Sequence, residues 1–137
     1  FYKSKLPKSS KIQISIKENY KSKYFIMGDS VLLYWAFENI IKNSIDSIDN
    51  NKGRIILSLI KEKNYIIINF FDNGKGISRR NKNHIFKPGY STKERGWGLG
   101  LNLSKRIINN FHKGSITLLK SNRNETVFRI KLRAIVS

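Results

Sequence analysis

Three segments of the sequence hold side chains that could do chemistry at spacings that let them act together. The first is Asn39-Ile40-Ile41-Lys42-Asn43-Ser44-Ile45-Asp46. On a helix turning about 100° per residue, Asn39, Lys42, Asn43 and Asp46 share one side with Glu38 at its edge, while Leu33, Tyr34, Phe37, Ile40, Ile45 and Ile48 fall on the other. Amide and carboxylate oxygens with little competing cation are what a hard ion such as Mg²⁺ takes as ligands. A polar stripe is also what any solvated helix face looks like, so composition has to add weight. In a chain with 27 Lys+Arg and 9 Asp+Glu, the stretch from Asp29 to Asn50 carries Asp29, Glu38, Asp46 and Asp49 but a single lysine.

The second segment is Asp72-Asn73-Gly74-Lys75-Gly76, at the end of the apolar run Tyr65 to Phe71. A carboxylate there is poorly solvated unless it meets a donor, and the two glycines let backbone pass close to a flat ligand. A purine amino group would satisfy it, although a strand-ending turn has the same composition. The third is Gly96-Trp97-Gly98-Leu99-Gly100-Leu101, running into a helix. Backbone N–H groups of a glycine-rich turn at a helix start cradle phosphates. The spacing is neither that of a dinucleotide fingerprint nor that of a Walker loop.

These segments need elements to hold them. Ile12, Ile14 and Ile16 alternate with polar residues, as in a half-buried strand; Val31 to about Ile48 runs at helical spacing, with Asp29 or Ser30 as the cap. Arg54 to Lys61 and Asn64 to Phe71 read as a hairpin, followed by a long irregular segment from Asp72 to about Gly96. A second helix fits Leu99 to Phe111, ended at Lys113-Gly114, and strands Ser115 to Leu119 and Thr126 to Arg133 close the chain. This order predicts an α/β two-layer sandwich with a mixed, mostly antiparallel sheet covered by helices on one face.

The 137 residues suffice for one domain, with 39% hydrophobic content, no cysteine, and a net charge of +18 that raises nucleic acid or an anionic membrane as a partner. No apolar run approaches the ~20 residues that span a bilayer. A start at Phe1 without a signal-peptide core reads as a piece of a longer protein. Residues 1–10 are then a lead-in from an upstream region, and residues 11–137 the folded unit.

In this order the three segments resemble those of the Bergerat-fold ATPases, the superfamily of DNA gyrase B, heat-shock chaperone ATPases, MutL and the histidine kinases. Asn39 to Asp46 resembles the histidine-kinase N box, Asp72 to Gly76 the first glycine box, Ile85-Phe86-Lys87-Pro88-Gly89-Tyr90-Ser91-Thr92-Lys93 the F box and ATP lid, and Gly96 to Leu101 the second glycine box. The stretch from Ile85 to Gly114 is similar to that of Bacteroidetes-type sensor kinases. The resemblance implies a catalytic ATP-binding domain with ATP and Mg²⁺ as cofactors. Asn43 would hold the metal with Asn39 beside it, Asp72 would take the adenine amino group, and Gly74 and Gly76 would make room for the base. Gly96, Gly98, Leu99, Gly100 and Leu101 would supply the phosphate cradle, with Thr92, Lys93 and Arg95 closing over it.

Two departures matter. Hydrolysing members place a glutamate four residues before the metal Asn, where this chain has Asn39; Glu38 is one residue off. That favours transfer of the γ-phosphate to a protein acceptor. Asp46 stands where many histidine kinases carry a basic residue. The implied partners are the dimerisation and phosphoacceptor domain of the same kinase and a downstream response regulator, with no nucleic acid. The implied location is cytoplasmic, compatible with an inner-membrane, homodimeric parent. The alternatives are an anti-sigma-factor-type serine kinase of the same fold and a basic nucleic-acid-binding module. Neither His84 nor His112 sits in an acceptor motif, so the phosphoacceptor histidine is expected to lie elsewhere.

Overall fold

The computed structural model describes residues 12–18, 25–49, 52–88 and 100–135. Its elements are β1 (Gln13–Glu18), α1 (Ser30–Ser47), β2 (Arg54–Glu62), β3 (Tyr65–Asp72), α2 (Gly100–Lys105) running on into a π-wound turn (Arg106–Phe111), β4 (Ser115–Asn122) and β5 (Glu125–Arg133). The strands form one sheet in the order β1-β2-β3-β5-β4. Only the β1–β2 pair is parallel, so the sheet is mixed and mostly antiparallel, as expected.

Both helices cover the same face. Alternate residues of the central strands, Ile66, Ile68 and Phe70 on β3 and Phe128, Ile130 and Leu132 on β5, form one core with Leu33, Ala36, Ile40 and Ile41 of α1 and Leu101, Ile107 and Ile108 of the second helical segment. A smaller cluster of Ile14, Ile48 and Ile55 ties β1 to the end of α1. Among the described residues no helix lies on the other sheet face, yet Ile67 there is only 4% exposed. Long cationic side chains lie along that face: Arg129 Nε donates to Asn69 Oδ1 at 2.9 Å, and Lys131 Nζ stands 4.3 Å from the Tyr65 ring centre.

The α1 cap is Asp29, whose Oδ1 accepts from the Val31 and Leu32 amides at 2.9 and 3.0 Å. Three local expectations are corrected. Tyr34, placed on the packed side by the helix wheel, is 39% exposed, and its hydroxyl reaches Glu38 on the next turn. The second helix does not keep regular winding to Phe111 but widens from Arg106 on; it ends where Gly114 N bonds Ile108 O at 2.9 Å, with Lys113 in the left-handed region. β4 continues past Leu119 to Asn122, because a bulge between Leu118 and Lys120 absorbs the break in alternation that made the strand look shorter. Among the described residues no helix is long and apolar enough to cross a membrane.

Candidate nucleotide site

The polar end of the site is built on α1 and α2. Asn39 and Asn43 lie one turn apart and half-buried, on the side expected for them. A methyl group on Gly100, the first residue of α2, would stand 4.0 Å from the Asn39 side chain, so the glycine-rich helix start and the Asn-bearing helix meet there. Leu101 turns into the core, and Ser104 Oγ donates to the Ala36 carbonyl at 2.8 Å between the two helices. Glu38 does not face the same space freely, since its carboxylate holds Lys42 at 2.8 Å and draws the Tyr34 hydroxyl. Thr92, Lys93, Arg95, Gly96, Gly98 and Leu99 lie outside the described residues.

The other end is Asp72, the last residue of β3, which is 1% exposed. Its Oδ1 accepts from Gly74 N at 2.9 Å and from Ser47 Oγ at 3.2 Å. The Ser47 proton is shared with the Ser44 carbonyl at 2.9 Å. Its Oδ2 is buried and has no hydrogen-bond partner. Burial pushes the Asp72 carboxyl up, against the opposing pull of the Gly74 amide and of the Ser44 and Ser47 hydroxyls. Ser44 favours the carboxylate by its proximity, without closing a hydrogen bond.

The loop after Asp72 is fixed at three places. Asn73 Oδ1 accepts from Arg54 N at 2.7 Å and its Nδ2 donates to Lys52 O at 2.9 Å; Lys75 N donates to Ser47 O at 3.0 Å; Ile77 N donates to Ser121 Oγ at 2.7 Å. Gly74 passes so close to α1 that a methyl there would collide with the Ser47 hydroxyl and stand 2.7 Å from its carbonyl oxygen. Gly76 has φ +80 and lies against the Asn122 carbonyl. Farther on, Phe86 packs edge-on against Phe128 at 6.1 Å, and Asn102 Nδ2 donates to its carbonyl at 2.9 Å, so this segment sits beneath α2.

Sequence reasoning missed three residues that the fold brings to Asp72. Ser44 and Ser47 stand on the turns of α1 that look toward it, and Thr126 is its cross-strand partner on β5. The hydroxyls of Ser44 and Thr126 are buried and unpartnered, as is Asp72 Oδ2. Asp72 Oδ2 could accept from a ligand donor, and the two hydroxyls could each donate or accept. Only the β3–β5 register reveals Thr126, whereas the three-residue spacing of Ser44 and Ser47 was readable on the helix wheel.

The raised Asp72 carboxyl has a consequence for stability. The folded state binds this proton more tightly than the unfolded chain, so the contribution is fully present below the ordinary value of 3.8 and is lost as pH rises through the folded value. The urea-unfolding midpoint of the ligand-free chain, relative to that of Asp72→Asn, is therefore expected to fall over that interval and to level off above it. A difference that rises with pH would contradict the burial argument. Binding of a ligand amino group, which needs the ionised form, follows the opposite trend.

Residues 28–135 match the family model described as Histidine kinase-, DNA gyrase B-, and HSP90-like ATPase. The chain is 34% identical over 121 residues to Sporulation kinase B of Bacillus subtilis, covering 88% of this chain and 28% of that protein. It thus spans little more than a quarter of that relative. Among solved structures, the catalytic domain of histidine kinase ThkA superposes with a TM-score of 0.79 at 22% identity, over 90% of this chain and 80% of that one. The same kinase in complex with the response regulator protein TrrA superposes with 0.74 at 21% identity, over 89% of this chain and 34% of that one. ShkA, full-length in complex with AMPPNP, gives 0.79 at 18% identity, over 92% of this chain and 26% of that one.

Proposed function

Because the chain belongs to the histidine kinase-, DNA gyrase B- and HSP90-like ATPase family, we propose that it binds Mg-ATP and donates the γ-phosphate to a histidine on the dimerisation domain of a two-component sensor kinase. The observation that carries the nucleotide reading is Asp72 Oδ2, a buried acceptor with no partner beside a glycine that leaves no room for a side chain. An adenine amino group is a donor of the right polarity, and Ser44 and Thr126 offer further acceptors and donors for the base edge. The kinase reading, as against hydrolysis, rests on Asn39. It occupies the place from which a carboxylate would activate water, and the neighbouring Glu38 is engaged with Lys42.

The metal reading fits what the chain offers. Among the described residues no group of three or more His, Cys, Asp or Glu side chains could hold an ion by itself. An amide from Asn43, with the remaining positions filled by phosphate oxygens and water, is the sparse protein coordination that Mg²⁺ accepts. When bound, the ion supplies charge neutralisation of the phosphates. The chain's own part is positioning: α1 presents Asn39 and Asn43, the start of α2 presents backbone N–H groups, and Asp72 fixes the base. Thr92, Lys93, Arg95, Gly96, Gly98 and Leu99 complete the phosphate cradle in this proposal. The parent protein is a cytoplasmic or membrane-anchored homodimeric kinase that hands phosphate to a response regulator.

Calorimetry is the direct test. The 137-residue chain should bind Mg-ATP with micromolar to millimolar affinity and discriminate against GTP, whose carbonyl oxygen brings an acceptor to Asp72 where adenine brings its amino group. Incubated alone with labelled ATP it should acquire no phosphohistidine. Supplied with an acceptor domain it should produce acid-labile phosphate, and Asn43→Ala should abolish that product. Acid-stable phosphoserine would point to the serine-kinase relative, and salt-sensitive binding of random DNA without ATP binding would overturn the reading.

A further inference from the structure

His112 has no part in the chemistry so far, yet both of its ring nitrogens are engaged. Asp29 N–H donates to Nε2 at 3.0 Å, and Nδ1 lies 2.8 Å from the Ile107 carbonyl oxygen. An amide nitrogen only donates and a carbonyl oxygen only accepts, so the ring must carry its proton on Nδ1 and leave Nε2 bare. The imidazole is also wedged against the chain before α1, since a methyl on Gly28 would come within 2.8 Å of Cδ2 and 2.9 Å of Nε2.

These contacts form one end of a seam. α1 and the second helical segment run antiparallel, bonded at Ala36–Ser104 and at Asp29–His112 and approaching each other at Asn39–Gly100. Asp29 is fixed on every side: its carboxylate caps Val31 and Leu32, its carbonyl accepts from Leu33 N at 2.9 Å, and its own N–H is held by the imidazole. We propose that His112 is a positioning residue for the phosphate end of the site, clasping the α1 cap in its neutral Nδ1–H form and so setting the register in which Asn39 meets Gly100.

Protonation undoes the clasp. A second ring N–H would face the Asp29 N–H, donor against donor, and the cap would lose its outer anchor. Among the described residues, the charged groups on the segments that hold the ring are the Asp29 carboxylate, turned toward its own helix amides, and Lys113, next in the chain. From β5, Lys131 approaches Gly114 through its backbone carbonyl, while its ammonium lies over Tyr65. With both ring nitrogens protonated the Asp29 contact is lost, and of the seam's hydrogen bonds Ser104 Oγ to the Ala36 carbonyl remains.

The affinity part of this proposal rests on the nucleotide reading, so the experiment has one arm without nucleotide. Long-range proton–nitrogen spectra of the labelled 137-residue chain, assigned with an exposed-site His84→Gln variant, should show neutral His112 as the Nδ1–H tautomer. The Nε2–H tautomer would overturn the proposal whether or not ATP binds. The second arm titrates Mg-ATP at about pH 8 and at a lower pH at which those spectra show the ring doubly protonated. His112→Gln keeps an acceptor for Asp29 and a donor for Ile107 without a titratable nitrogen. It should match wild type at the higher pH and lose about fivefold less affinity at the lower one. His112→Phe, which keeps the bulk and loses the acceptor, should bind about fivefold more weakly at both. Parallel pH profiles for wild type and His112→Gln would overturn the positioning role. Absence of any ATP binding by wild type would instead sink the nucleotide reading and leave the spectrum to decide the clasp.

Discussion

Asp72→Asn is expected to weaken Mg-ATP binding about a hundredfold, roughly 2.7 kcal/mol, while leaving the chain as stable as before or more so. The two halves of that expectation come from different oxygens. Oδ1 accepts from Gly74 and Ser47, so the asparagine oxygen must take its place to keep those bonds. The amide nitrogen then occupies the position of Oδ2, the orphaned acceptor, and turns a donor toward a ligand amino group. Stability should not suffer in parallel, because burial already disfavours the charged form of Asp72 and the substitution removes that charge. Calorimetry and urea unfolding on the same variant check both halves. Retained affinity would remove Asp72 from base recognition, and collapse of the fold together with affinity would make it a structural residue.

Gly76→Ala should act in the opposite manner, through the fold first. The residue has φ +80 and its methyl would run into the Asn122 carbonyl, so the backbone must leave a conformation that only glycine holds cheaply or push away the end of β4. A loss of about 2–4 kcal/mol is expected, a large part of the stability of a domain this size. Gly100→Ala is the internal comparison. Its methyl would sit at ordinary contact distance, 4.0 Å from Asn39, at a helix start, so stability should change by less than about 1 kcal/mol. Equal midpoints for Gly76→Ala and wild type in urea unfolding would show that the loop has another conformation at similar energy.

The sequence carried the places of the candidate residues on their elements better than their distant neighbours. Asn39, Asn43 and Asp72 were legible because each lies in a segment whose period or turn chemistry is local, and all three stand where the helix wheel and the strand end put them. Asn39's approach to Gly100 joins residues 61 positions apart and could be anticipated only through the family resemblance. Thr126 was not legible, since its meeting with Asp72 depends on which strand β5 pairs with, and the strand order β3-β5-β4 is not the order of the sequence. The widened turn at Arg106–Phe111 escaped for a related reason. An apolar pattern through Ile107 and Ile108 fits ordinary winding equally well, and the difference is made by what the end of the segment must reach, here His112 to Asp29. Tyr34 misled the wheel because an aromatic counts as apolar there, although its hydroxyl can leave the core for a carboxylate on the next turn.

The helix-free side of the sheet, where Arg129 lies against Asn69 and Lys131 over Tyr65, bears on how this domain coexists with copies of itself. Two such faces brought together would confront guanidinium with ammonium across a sheet whose Ile67 is paired with Lys131. Face-to-face stacking of sheets is thereby opposed by like charge and by the water each cation would have to shed. The same two cations therefore keep this face apart from its copies while lying against the sheet through their long side chains.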